Sequence, residues 1–266
     1  MESLKLYWLG HPQVELRGRP IKLETRKAAA MLAYLSLVPG EHPRELLATM
    51  FWPEGTQQKA LANLRRTLSS LNSSVPGWIE ADRKTIHFKQ NIKLWVDVAA
   101  FDQLLSQLKA HTHPQNELCE DCLSWQEQAV QLYRGDFLDG LNLTDSLNFD
   151  EWQFFQRDNL RQKFADALQH LSSRYARLAD WDQALVYARR WVALDRLHEP
   201  ACRNLMDLYA RSGQRAAALR QYEELSRLLH EQLGQKPEEE SCRLYEEILR
   251  HDTANQVIAS TEHRSA

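Results

Sequence analysis

The chain has 266 residues, 43% of them hydrophobic, enough for two ordinary domains with apolar cores. It contains no run of 18 apolar residues, so no membrane-spanning helix is expected, and its opening MESLKLYWLGHPQVEL lacks the basic-then-apolar layout of an export signal. The formal net charge of −3 conceals a division, because residues 1–93 carry 14 Lys and Arg against 8 Asp and Glu, whereas residues 94–266 carry 19 against 28. A basic front and an acidic back leave only the front suited to a polyanion. Four cysteines in a chain of this length do not make a disulfide framework, and a reducing cytoplasm is the expected compartment.

The front predicts short strands at Leu4–Leu9, Gln13–Leu16 and Pro20–Leu23, punctuated by Gly10, Pro12 and Gly18. Thr25 is an N-cap for a helix reaching about Leu37, with Ala28, Met31, Leu32 and Leu35 along its inner side and Pro39-Gly40 ending it. Pro43 suits the first turn of a second helix reaching Trp52, whose buried side is Leu46, Leu47, Met50 and Phe51; Pro53 and Gly55 break it. The third helix, Gln57–Leu71, has two unlike faces. Leu61, Leu64, Leu68 and Leu71 make one stripe of a 3.6-residue period, and Lys59, Ala62, Asn63, Arg66 and Ser70 fall opposite. That outer side holds no carboxylate. Arg and Lys suit guanine edges or phosphates and Asn suits adenine, so Lys59, Asn63 and Arg66 are candidates for base edges. Arg65 lies about 100° from Leu64, on the flank, where a phosphate is the expected partner.

Such a face alone is more simply a solvated surface helix; its neighbours reverse that and favour the reader. After Pro76-Gly77, Trp78–Ala81 and Thr85–Phe88 alternate on either side of Asp82-Arg83-Lys84, a hairpin with a basic tip. Strands, three helices and a terminal hairpin predict a winged helix-turn-helix whose third helix enters the major groove of double-stranded DNA. Arg26, Lys27, Arg65, Arg83 and Lys84 are the candidate phosphate contacts, and helix N-termini near Thr25 and Pro43 offer backbone amides to the same phosphates.

Behind Trp95 strand patterns give way to helices. Val98, Phe101, Leu104, Leu105 and Leu108 share one face, Trp125–Tyr133 forms a second segment, Gly135–Gly140 is a loop, and Asp150 or Glu151 opens a long helix reaching about Leu178. RYARLADWDQALVYA (Arg174–Ala188) then aligns with LYARSGQRAAALRQY (Leu208–Tyr222) at an offset of 34, the tetratricopeptide period. Tyr175, Ala176, Ala184 and Leu185 match Tyr209, Ala210, Ala218 and Leu219. The fold class expected is mainly α: a winged helix-turn-helix (α+β) over 1–93, an all-α tetratricopeptide-like domain over 94–250, and a polar tail or linker over 251–266. A continuation of the natural chain beyond that point is left open.

Cys119-Glu-Asp-Cys122 is a lone C-x-x-C with His111 and His113 just upstream, four donors able to close a tetrahedral zinc site; two partly buried thiols beside exposed histidines explain the same residues. Cys202, Cys242, Trp181 and Trp191 read as packing residues. No phosphate-binding glycine loop, G-x-S-x-G elbow or H-E-x-x-H helix occurs, so neither an enzyme nor a bound organic cofactor is expected.

Residues TRKAAAMLAYLSLVPGEHPRELLATMFWPEGTQQKALANLRRTLSSL resemble the start of the Streptomyces antibiotic regulatory protein family, whose winged helix is of OmpR/PhoB type. Its last helix commonly reads V-S-R-L-R-K-A-L, against Leu61-Ala-Asn-Leu-Arg-Arg-Thr-Leu68 here. Arg65 and Arg66 match the Arg-Lys pair, while Asn63 replaces a common Arg and leaves the base preference there open. YRGDFLDGL (Tyr133–Leu141), Glu151-Trp152 and LLHEQLGQKPEEES (Leu228–Ser241) resemble the bacterial transcriptional activation domain of the same regulators, so the likeness covers about residues 4–250. It implies a transcriptional activator that binds repeated promoter sites, pairs with a second protomer on DNA and contacts RNA polymerase. The alternative is a protein-interaction module in which the helical repeats carry the function and the winged helix docks on protein.

Overall fold

A computed structural model describes residues 3–89, 93–111 and 119–262, with side chains through residue 250. The front folds into β1 (Ser3–Tyr7), β2 (Gln13–Leu16), β3 (Arg19–Ile21), α1 (Arg26–Leu37), β4 (His42–Pro43), α2 (Arg44–Phe51), α3 (Gln57–Ser74), β5 (Ile79–Ala81), β6 (Thr85–Phe88) and β7 (Lys93–Val96). Leu4 and Leu6 of β1 are fully buried and alternate with more exposed neighbours, as the period of two demands. One sheet runs β3-β2-β1-β7, the other β4-β6-β5. This is the winged helix-turn-helix expected.

Two strands were not foreseen. β4 is only His42–Pro43, paired to Ile86 and Thr85 of β6, too short to show alternation. Pro43 accordingly precedes α2 as its N-cap residue and does not occupy the first turn. β7 lies parallel to β1 with Leu4 opposite Leu94, and parallel pairing is invisible to local pattern. Leu46, expected in the core, is 50% exposed; α2 buries Leu47, Ala48, Met50 and Phe51.

Helices follow: α4 (Asp97–Ala110), α5 (Glu120–Leu132), α6 (Leu147–Arg177), α7 (Trp181–Leu194), α8 (Glu199–Arg211), α9 (Arg215–Leu233) and α10 (Glu239–Glu262). Residues 251–262, expected as an unpatterned tail, continue α10. None of the described helices is long and apolar enough to cross a membrane.

The chain divides into two compact units, residues 1–164 and 165–266, and the first reaches far beyond the boundary expected at 93/94. Its glue is identifiable. Asp97, 1% exposed at the start of α4, accepts the backbone N–H groups of Trp8 and Leu9 at 2.8 and 2.9 Å, clamping the end of β1. The loop Tyr133–Leu141 bonds to the same segment, with Leu138 N–H donating to Trp8 O at 2.8 Å and Gly10 N–H to Asp136 O at 3.0 Å. Gly10 has φ +106°, which favours glycine, and a Cβ on Gly135 would lie a tight 3.2 Å from Gly10 Cα. Trp152 packs edge-on against Tyr34 of α1 at 5.1 Å, Phe149 lies 5.3 Å from Phe51 of α2, and the Ser146 hydroxyl donates to Phe51 O at 2.9 Å. The early helices therefore share their core with residues well downstream.

In the second unit the 34-residue register is visible in the turns. Ala179 (φ 56°) and Gly213 (φ 77°) are both left-handed. Asp180 N–H donates to Tyr175 O at 3.0 Å and Gln214 N–H to Tyr209 O at 2.7 Å, each pair 34 residues from the other. Ala184 and Ala218, the matched small residues, are both fully buried. Glu199, on the first turn of α8, accepts from the Glu238 backbone N–H at 2.9 Å and the Ser241 hydroxyl at 2.6 Å, holding the start of α10. The fold is mainly α, a winged helix-turn-helix followed by tetratricopeptide-like helices.

Candidate nucleic-acid interface

α3 is anchored from behind. Ala60, Leu64, Leu68 and Leu71 are each at most 5% exposed, against α1 and α2. Leu61 is only half-buried, so the buried stripe starts one residue earlier than expected. Thr56 caps the helix, its Oγ1 accepting the Lys59 N–H at 3.4 Å. The stripe fixes which side chains point away.

Lys59, Arg65 and Arg66 are exposed, and among the described residues none of their side chains has a carboxylate or hydrogen-bond partner. Asn63 is half-buried. With Arg66 it lines an open cleft shared with Trp52, Thr25 and the loop Asn142–Asp145. Ser70, counted on the outer side, donates its hydroxyl to Glu24 at 2.6 Å. The open cationic stretch of α3 is thus its first half, through Arg66.

The hairpin β5–β6 forms around the expected turn, with Ala81 opposite Ile86 and a first arm one residue shorter than expected. Asp82 organises its tip by accepting the N–H groups of Lys84 and Thr85, both at 2.6 Å, and these bonds hold its carboxyl below the ordinary carboxylate value. Arg83 and Lys84 are left exposed. Arg44, not singled out from sequence, ties α2 to the tip through its guanidinium, which donates to Asp82 O at 3.0 Å. Nothing in its local sequence marks that long-range bond.

Arg26 is exposed on the first turn of α1, but Lys27 is committed inside the fold. Its ammonium donates to Phe51 O and to Asp145, both at 2.7 Å, and lies 5.1 Å above the Trp52 ring. That bond to Lys27 holds the Asp145 carboxyl below its usual range. A lysine whose three donor directions are spent on a carbonyl, a carboxylate and a ring face is a structural residue, which corrects the phosphate contact expected of it.

Of the candidate metal ligands, His111, Cys119 and Cys122 come together with their ligand atoms all within 4.8 Å of one another. His113 lies outside the described residues. Cys202 is fully buried beneath the second unit's surface and Trp191 is 6% exposed, the packing roles expected.

Residues 96–249 match the family described as Bacterial transcriptional activator domain. No curated protein matches the chain. Among solved structures it is similar to Mycobacterium tuberculosis EmbR in complex with a low-affinity phosphopeptide. The TM-score is 0.69 at 18% identity, over 99% of this chain and 71% of that one. At that identity the likeness speaks for the fold. The matched span covers more than half of the sequence, and the chain belongs to the bacterial transcriptional activator domain family, a transcriptional regulator by that membership.

Proposed function

We propose that this regulator is a sequence-specific DNA-binding activator of the Streptomyces antibiotic regulatory protein type. The observation that carries the reading is the set of unpartnered cations on the exposed first half of α3, held outward by a buried leucine face. Lys59, Asn63 and Arg66 read base edges in the major groove; Arg65, Arg26, Arg83 and Lys84 neutralise phosphates on either side. The helical region contacts RNA polymerase or a second protomer on adjacent sites. No catalytic or cofactor role is assigned.

The experiment is selection of bound sequences from a random duplex pool by the whole chain, followed by footprinting. The reading expects one enriched motif, repeated at about one helical turn where two protomers bind. Failure to enrich any sequence at low salt sinks it.

A second reading has one observation in its favour. Phe154 and Phe155 of α6 are 62% and 67% exposed, and Leu147, about two turns earlier, is 68% exposed. Apolar side chains displayed together suit a protein partner, and a chain using only that surface would be an interaction module. Retention on heparin separates the two readings, since the interaction module has no use for the cations of α3.

A further inference from the structure

We propose that His111, Cys119 and Cys122 form a structural zinc site that fastens the end of α4 to the start of α5. His111 is the residue on which α4 ends and Cys119 the residue from which α5 starts; Cys122, three positions on, shares the helix side of Cys119. The inference is independent of DNA binding.

The distances are close to those of a shared ion. His111 Nδ1 lies 3.1 Å from Cys122 Sγ and 3.6 Å from Cys119 Sγ. Tetrahedral zinc with Zn–S near 2.3 Å and Zn–N near 2.0 Å spaces neighbouring N and S donors about 3.5 Å apart and two sulfurs about 3.8 Å apart. The observed set needs only small shifts to surround one ion. Hydrogen bonding accounts for the cluster less well. A ring nitrogen offers one lone pair or one proton, yet both sulfurs converge on the same Nδ1.

The surroundings suit a soft divalent ion. Two thiols and an imidazole select zinc over magnesium or calcium. Each thiol releases its proton to solvent on binding, and two thiolates with a neutral imidazole cancel the charge of Zn2+. That matters because Cys122 is 2% exposed and a net charge there would be costly to bury. The positive end of the α5 dipole further favours thiolates at Cys119 and Cys122. Trp125, one turn along α5, meets the His111 ring edge-on at 5.3 Å and orients it. The fourth position is filled by water or a further donor.

The test is elemental analysis of the whole chain, expressed with added zinc and desalted under reducing conditions, with Co2+ as a second probe. We expect about one zinc per chain, a drop of about tenfold in Cys119→Ser, Cys122→Ser and His111→Ala, and retention in His111→Cys, where a thiolate replaces the imidazole. Co2+ should give the thiolate charge-transfer band and intense visible absorption of a tetrahedral sulfur site. Stripping the unmutated chain with a chelator should lower its melting temperature, a readout that needs no variant to fold. Three results overturn the proposal: a folded chain that takes up neither ion, a doubly Ser-substituted chain that keeps its zinc, or a Cys119–Cys122 disulfide under reducing conditions.

Discussion

The arginines of the second unit and those of α3 are the same residue in opposite circumstances. Arg203 reaches Glu238 at 2.7 Å and Glu240 at 3.1 Å, Arg227 reaches Glu224 at 2.8 Å and Glu231 at 2.6 Å, and Arg211 meets Asp207 at 3.3 Å. Arg243 with Glu239 and Arg250 with Glu246 continue the pattern along α10. On α3, Lys59, Arg65 and Arg66 have no such neighbour among the described residues. Exposed ion pairs contribute little to stability, but a guanidinium already facing a carboxylate is a poor phosphate ligand. Overall charge is therefore a weak guide to partners. What counts is which cations the fold leaves unspent.

Four variants test that contrast. Replacing Lys59, Arg65 and Arg66 together by Ala should weaken binding to the selected site by at least about a hundredfold, with no loss of melting temperature, because none of the three supports the fold. Arg66→Ala alone should cost about 1–3 kcal/mol of affinity and relax the preference at one base pair, as read by gel-shift competition. Lys27→Ala should do the reverse, leaving affinity within about twofold while lowering stability in urea titration by about 1–2 kcal/mol, the usual cost of a lost charge-assisted hydrogen bond at a partly buried site. Arg227→Ala should change neither, with stability within about 0.5 kcal/mol.

Lys27 also gives the contrast a pH signature. The Asp145 carboxyl is held below its ordinary value of 3.8 in the folded chain by its bond to Lys27. A depressed folded value means that the contribution is present above the unfolded value and is lost as pH falls through the folded one. Stability should therefore decline below about pH 4 more steeply in the unmutated chain than in Lys27→Ala. Equal slopes would mean that the pair is not formed in solution.

Much of the fold was legible in local pattern. Thr25 as a cap, Leu64, Leu68 and Leu71 on the inner side of α3 and the hairpin around Asp82-Arg83-Lys84 are each specified by residues within a few positions of one another, and each appears where expected. The 34-residue repeat was legible because it recurs in turns as well as helices. What escaped was non-local. β7 needs β1, ninety positions away, and Asp97 acts on Trp8 and Leu9. The boundary expected at 93/94 follows the change from strand to helix pattern, while the compact unit ends at 164 because Phe149 and Trp152 complete the core of α1 and α2. Within the candidate interface the misreading has the same origin. Lys27 looked like Arg26, and its distant partners Asp145, Phe51 and Trp52 distinguish them. Ser70 likewise looked free until Glu24 met it.

The central claim is that cations left unpaired on α3 hold DNA, and its most direct test is the affinity of the whole chain for its selected duplex across a salt series. A linear fall of log affinity with log salt is expected, with a slope shallower by about one for Arg65→Ala. A slope near zero, or one unchanged when Lys59, Arg65 and Arg66 are all removed, would contradict it.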